Sequence, residues 1–368
     1  MPETELPAAS GGIPREVGVR PVDGPTEVAV EHAAAEARSG RFDDPVPDEA
    51  PPALLEPVDL VHFVADHDES SLGEVDALDE SVPPASLWRE AGRKLVRRPL
   101  FIVSALMIVV ILAVTIAPGV FTTGSLTECL LSRRFGPPEA GHPFGFDQQG
   151  CDVFARIVYG ARPSVLVGVL SMLVVLLVGG TVGALAGWRG GWLDAVFSRL
   201  GDIFYAIPTV LAALVFLNSQ RDKAPSVMVF LVVGVIAAFA WPQMARMTRG
   251  SVLSVKSSDF VTASRAIGVT NRRILIRHIV PNAAAPMIVT ATVSLGTYIV
   301  LEATLSFLGL GLPITMRSWG QQISSNQGMV RTHPEQLFYP GAALALTVLA
   351  FIMLGDAVRD ALDPKAAR

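Results

Sequence analysis

Apolar residues along this chain form six stretches long enough to cross a lipid bilayer. The clearest is 100–117, which has 18 residues and no charge, the length that a membrane-spanning helix needs. We predict the other five spans at 164–187, 200–217, 227–245, 282–310 and 337–354. Pro208 interrupts the third span and Pro242 lies near the end of the fourth, breaks that other helices or a cavity can accommodate. The pattern predicts an all-α integral membrane protein.

The first 87 residues have a different character, with 20 acidic residues, 4 basic residues and 12 of the 27 prolines. A segment so acidic and so rich in proline buries too little apolar area to fold, so we expect 1–85 to be a disordered extension. Two exceptions stay open beside a fully solvated tail: a short helix over 26–38 and an apolar docking motif at 60–64. No apolar signal region follows the start, so we expect a cytoplasmic amino terminus.

Basic residues set the expected orientation of the spans. With the amino terminus inside, the inside segments 88–99, 188–199, 246–281 and 355–368 carry 17 bases against 8 in the outside loops. We therefore expect both termini in the cytoplasm. The basic segment after Ser86 has apolar residues every fourth position, which indicates a helix lying at the membrane surface or simply the basic flank of the first span.

We divide the chain accordingly. Residues 86–163 hold the interfacial helix, the first span and the first extracytoplasmic loop; 164–358 form the transmembrane core, with a cytoplasmic loop at 246–281; and 359–368 form a cytoplasmic tail.

Composition excludes a simple soluble enzyme, since 51% of residues are hydrophobic, only 17% are charged and the mean hydropathy is +0.46. No Gly-Lys dipeptide occurs, which excludes a P-loop, and neither the histidines nor the two cysteines show metal-ligand spacing. We identify no catalytic residue and no metal site. The chain is expected to act by forming a path or by coupling to a partner.

The stretch 259–282 (DFVTASRAIGVTNRRILIRHIVPN) is the most informative. We predict a helix over 260–267, a left-handed stop at Gly268, a second helix capped by Asn271, and an end to that helix at Pro281. A helix–glycine–helix unit between two spans makes a compact knob. An ordinary basic cytoplasmic loop would explain the arginines but not this plan.

This stretch resembles the "EAA" loop of ABC importer permeases of the dipeptide/oligopeptide/nickel group, through Ala263, Gly268, His278, Pro281 and Asn282. Thr262 and Ser264 depart from that pattern, standing where Glu and Ala are expected. In that family the loop docks into an ATPase. The resemblance implies a coupling role for Asp259, Phe260, Ala263, Arg265, Ala266, Gly268, Arg277, His278, Pro281 and Asn282.

Other blocks resemble the same family: 142–164, the run Gly191-Trp192-Leu193-Asp194 with Arg199, Asp202 and Pro208, then 305–311 and 354–364. The resemblance, covering about 88–364, implies the type-1 permease fold in the plasma (inner) membrane. The partners it implies are a homologous permease (as a heterodimer), two ATPase subunits or one fused ATPase, an extracytoplasmic binding protein and the lipid bilayer, with no nucleic acid. ATP and Mg would be bound by the ATPases, so this chain would hold no cofactor.

Peptides are the expected cargo, with nickel or another small solute as the alternative. An ion-driven transporter or channel is a third possibility, although the sequence lacks the midspan charge pairs and inverted repeats that favour one.

Cys151 stands where the family's first-loop signature commonly has arginine, and Cys129 lies in the same outside loop. We predict a disulfide between them, the alternative being two free thiols. Glu302 is expected within the fifth span, either paired with an arginine or lining the substrate path or gate. Ser306 and Asp202 are further candidates for that path. The glycines of the second span, including Gly179 and Gly183, are expected to pack against another helix.

Overall fold

The computed structural model describes residues 92–93, 95–126 and 128–362, and within these ranges the regular secondary structure is helical. The helices are α1 (Pro99–Ile116), α2 (Pro118–Phe121), α3 (Val153–Arg189), α4 (Gly191–Ala206), α5 (Thr209–Asn218), α6 (Pro225–Lys256), α7 (Asp259–Ala266), α8 (Asn271–Ile274), α9 (Val280–Phe307), α10 (Trp319–Asn326) and α11 (Glu335–Leu362).

Five of these helices are long and apolar enough to span a membrane: α1, α3, α6, the continuous helix Asn271–Phe307 and α11. Helices α4 and α5 are apolar enough only when taken together, and they are bent by 79° between Ala206 and Thr209, so that this pair is either a broken sixth span or a re-entrant loop. The bend lies at Pro208, whose ring cannot donate a backbone hydrogen bond, so the predicted interruption of the third span is confirmed. The chain is a multi-pass, all-α membrane protein, as predicted.

Helix α3 lies at the centre of the bundle and packs on α1, α6 and α9. Its glycines form the contact with α6, as predicted. A Cβ at Gly179 would lie 2.7 Å from the carbonyl oxygen of Trp241, and one at Gly187 would lie 3.0 Å from that of Arg249. Small residues let two apolar helices approach closely where dispersion forces alone must hold them together.

Two helix boundaries differ from the prediction. Helix α6 does not stop near Ala245 but continues to Lys256, so its last turns extend beyond the apolar run. The predicted end at Pro281 is wrong, because the chain passes from α8 through a wide π turn, Leu275–Ile279, directly into α9. Pro281 then occupies the first turn of α9, where a missing amide costs little.

The residue preceding α8 is Thr270, so the predicted cap at Asn271 is also wrong by one position. The side-chain amide of Asn282 donates through Nδ2 to the backbone carbonyl of His278 at 2.5 Å, which satisfies a backbone acceptor close to the proline.

The segments 26–38 and 60–64, and most of the predicted interfacial helix, lie outside the described residues. Residues 92–93 and 95–96 are helical, and the description ends at 362. The domain boundaries at 85, 163 and 358 stay predictions.

Candidate functional site

The helix α7 is anchored to the bundle by one buried side chain. Val261 is fully buried and packs with Val252 of α6 and with Ile274 and Ile279 beside α9. Burying such a side chain contributes about 1.5–3 kcal/mol, which is substantial for a helix of 8 residues. On the outer face Phe260 and Ile267 are 44% and 80% exposed. Helix α7 is therefore fixed to the bundle through Val261, whereas the apolar side chains of Phe260 and Ile267 remain exposed.

A left-handed glycine ends α7. Gly268 has φ +81°, its amide donates to the carbonyl of Arg265 at 3.0 Å, and the amide of Val269 donates to that of Ser264 at 3.1 Å. This satisfies carbonyls that the end of a helix leaves free. The predicted conformation of Gly268 is confirmed. A Cβ there would meet no atom within 4 Å, so a side chain would project outward.

The other residues assigned to the coupling loop lie along this continuous segment. Asp259 begins α7, where its charge favours the helix dipole, and Ala263, Arg265 and Ala266 are exposed or partly exposed along α7. Arg277 and His278 lie in the π turn, and Pro281 and Asn282 in the first turn of α9.

At the same end of the spans, α3, α4 and α6 line a partly open cavity of about 350 Å³. Asp194 of α4 binds Arg249 of α6 with two hydrogen bonds of 2.5 and 2.6 Å, and Asp202 accepts a bond of 3.3 Å from Arg246. Two parallel hydrogen bonds between one guanidinium and one carboxylate, as in the Asp194–Arg249 pair, fix the relative orientation of the two side chains. The candidate Asp202 therefore lines a charged cavity between α3, α4 and α6, with its carboxylate beside Arg246 and Arg199.

At the opposite end, Glu302 is fully buried and belongs to a polar group that we call the Glu302 cluster: Ser164, Glu302, Ser306 and Ser318. Glu302 Oε1 accepts from Ser306 Oγ at 2.7 Å, and the hydroxyls of Ser164 and Ser318 face the same carboxyl group, whose Oε2 is buried without a hydrogen-bond partner among the described residues. Among the described residues its polar partners are serines and not an arginine.

The Glu302 cluster ties three parts of the chain together. The backbone amide of Leu312 donates to Ser306 Oγ at 3.1 Å, and that of Trp319 donates to Ser164 Oγ at 3.2 Å. Buried hydrogen bonds thereby join α3 to α10, and the end of α9 to the segment that follows it. Asp202 lies on α4, so the structure does not bring the three path candidates into one site.

The loop between α2 and α3 contains a disulfide between Cys129 and Cys151, whose Cα atoms lie 4.2 Å apart. Arg156, in the first turn of α3, reaches this bridge: it forms a buried ion pair with Asp147 and donates to Gln149 Oε1 at 2.8 Å. Arg156 was not among the residues predicted from the sequence. The pattern that could have indicated it is its position four residues after Asp152, an N-capping residue whose side chain accepts hydrogen bonds from the backbone amides of residues 154 and 155.

Replacing Cys151 by serine should loosen this loop without removing the chain from the membrane. The bridge closes a loop with a sequence separation of 22 residues, worth roughly 3 kcal/mol in the chain-entropy model. Thiol alkylation of fresh membranes followed by mass spectrometry should leave both wild-type cysteines unmodified and label Cys129 in the variant. Labelled wild-type thiols would contradict the prediction.

Residues 179–368 match the family model described as "Binding-protein-dependent transport system inner membrane component". The dipeptide transport system permease protein DppC of Alkalihalophilus pseudofirmus is 38% identical, covering 78% of this chain and 93% of that protein. The oligopeptide transport system permease protein OppC of Bacillus subtilis is 36% identical, covering 79% and 93%. The glutathione transport system permease protein GsiD of Pectobacterium atrosepticum is 33% identical, covering 76% and 91%.

A solved structure of the MetNI methionine ABC transporter, in inward-facing conformations, is 20% identical with a TM-score of 0.46, covering 56% of this chain and 96% of that one.

The chain therefore belongs to the inner membrane components of binding-protein-dependent transport systems. Within that class it is a permease subunit of the dipeptide/oligopeptide group of ABC importers, as the sequence motifs predicted. Subunits of this class work with ATPase and substrate-binding components.

Proposed function

We propose that this chain forms, together with a homologous permease, the translocation path of an ATP-driven peptide importer. The observation that carries the proposal is the identity of 33–38% to dipeptide, oligopeptide and glutathione permeases, all named for peptide cargo, over more than three quarters of this chain. An extracytoplasmic binding protein delivers the peptide. Two ATPase subunits, or one fused ATPase, bind ATP and Mg, and this chain has no ATPase site of its own.

Helix α7 is the proposed docking point for an ATPase. Its buried side transfers a push to α6 and α9 through Val261, whereas Phe260 and Ile267 offer apolar contact outside. The charged cavity beside Asp202 then forms the inner part of the path. The Glu302 cluster acts as an outer gate, because it brings together buried polar side chains of α3, of α9 and of the residue that precedes α10, at the end of the spans where the path must open.

The test is uptake of labelled dipeptides and oligopeptides by proteoliposomes holding the complete complex. We expect uptake that requires ATP and the binding protein and that persists when the membrane potential is collapsed. Uptake that follows an ion gradient without ATP would refute the proposal. A complex that takes up nickel but no peptide would refute peptide as the cargo and leave ATP-driven import standing.

We also propose that both termini lie in the cytoplasm. The support is the excess of basic residues in the segments at the α7 end of the spans. Ser257 precedes α7 and Ser325 lies on α10 at the opposite end, and both are exposed. In intact cells an impermeant thiol reagent should label Ser325→Cys and leave Ser257→Cys unlabelled until the cells are opened. The reverse pattern would invert the topology.

A further inference from the structure

Helix α3 ends on an aromatic ring that two cations approach. The guanidinium carbon of Arg265, on α7, lies 5.2 Å from the centre of the Trp188 ring, and Nζ of Lys256, at the end of α6, lies 5.5 Å from it. A cation within about 6 Å of an indole centre is attracted by the ring electrons. Trp188 is thus in contact with the helix that we propose as the docking point.

Two further contacts fasten the same end of α3. Lys256 Nζ donates to the carbonyl oxygen of Trp188 at 2.7 Å and approaches that of Gly187 at 3.4 Å. These carbonyls end the helix and lack helical partners, so a cation there is favoured by the helix dipole. The ring itself packs on the buried group around Val261.

A movement of α7 can reach the spans of the bundle either along the chain or through side-chain contacts. Only Ser257 and Ser258 separate α6 from α7, and a short turn separates α7 from α8, so those spans follow α7 through the chain itself. Helix α3 ends 70 residues before α7 begins and has no such link. It nevertheless packs on α1, α6 and α9.

We infer that Trp188 is a positioning residue that carries the displacement of α7 to α3. The central helix then moves together with the docked ATPase, so closure at one end of the complex reaches the Ser164 end of α3 as one rigid displacement. This inference rests on the proposed docking of α7. It adds a route through side chains to the route through the flanking spans.

The functional test compares Trp188→Ala, Trp188→Phe and Trp192→Ala in the reconstituted complex. Trp192 is a matched control, four residues away and 73% exposed. Losing the ring should lower the peptide transported per ATP hydrolysed about fivefold, the effect of one cation–π contact. Trp188→Phe should restore most of the ratio because it keeps an aromatic face, and Trp192→Ala should leave it unchanged.

A double-mutant cycle separates transmission from folding. Arg265→Gln removes the cation and leaves α3 unaltered, so it tests the contact even if Trp188→Ala fails to assemble. If the two side chains act through each other, the double variant should be no worse than Trp188→Ala alone. Fully additive losses would overturn the inference.

A second readout is independent of cargo. Hydrogen exchange of α3 peptides should change when ATP binds to the wild-type complex and should not change in Trp188→Ala or Arg265→Gln. An equal response in wild type and both variants would overturn the inference. If the wild-type complex imports no peptide, the proposed cargo fails, and the exchange measurement alone decides whether Trp188 transmits the movement.

Discussion

Replacing Gly268 by aspartate is expected to uncouple ATP hydrolysis from transport: the peptide taken up per ATP hydrolysed should fall about tenfold or more, while the chain still inserts and packs its spans. Gly268 has φ +81°, where a residue with a Cβ is strained by about 1 kcal/mol. A Cβ there has no atom within 4 Å, so the new carboxylate would project from the surface beside Ile267, which we assign to docking. The measurements are uptake and binding-protein-stimulated ATP hydrolysis in proteoliposomes.

Two variants separate the causes of that loss. Gly268→Ala adds the same strain without bulk or charge, so its effect should be milder. Gly309→Asp is the matched control, because Gly309 has φ +73°, is exposed and also has open space around its Cβ, but follows α9 at the opposite end. It should keep coupling. Full coupling in Gly268→Asp would mean that this turn is not part of the transmission element.

Replacing Glu302 by alanine should destabilise the folded chain by about 2–3 kcal/mol. The substitution removes the acceptor of the Ser306 hydroxyl and the group that Ser164 and Ser318 face, in a site without solvent exposure. It also leaves a cavity at the junction of α3, α9 and α10. Thermal unfolding of the detergent-solubilised chain, followed by size-exclusion chromatography, should show a markedly lower midpoint.

Glu302→Gln keeps the volume and the Oε1 acceptor, so its midpoint should fall between those of the wild type and Glu302→Ala. Glu335→Ala is a control for loss of charge, since that carboxylate is 42% exposed at the start of α11. It should unfold like the wild type. A Glu302→Ala chain that unfolds at the same temperature as the wild type would show that the Glu302 cluster does not stabilise the fold.

Features that depend on neighbouring residues were predicted correctly from the sequence. A long run without charges can satisfy its backbone in a bilayer only as a helix, so the spans follow from composition alone. The break at Pro208 and the left-handed turn at Gly268 follow from the covalent structure of single residues. The two cysteines were predicted to pair because they are the chain's only cysteines and share one outside loop.

The prediction at Pro281 was wrong because a rule that holds for a regular α-helix was applied to a segment whose backbone departs from one. Pro281 was predicted to end a helix, because a proline inside a regular α-helix removes a hydrogen bond. The π turn before it shifts the pattern so that the proline falls in the first turn of α9, and no property of the segment 271–281 alone predicts that turn.

The sequence by itself determined the class of this protein, because spans, glycine turns and family motifs are carried by contiguous residues. The tertiary structure alone decided which distant residues meet: Ser164 and Ser318 around Glu302, and Arg265 beside Trp188. The physical reason is that apolar helices offer many similar faces for packing. Close glycine contacts and a few buried polar bonds select one arrangement, and these pairings join residues many positions apart, beyond the reach of any local periodicity.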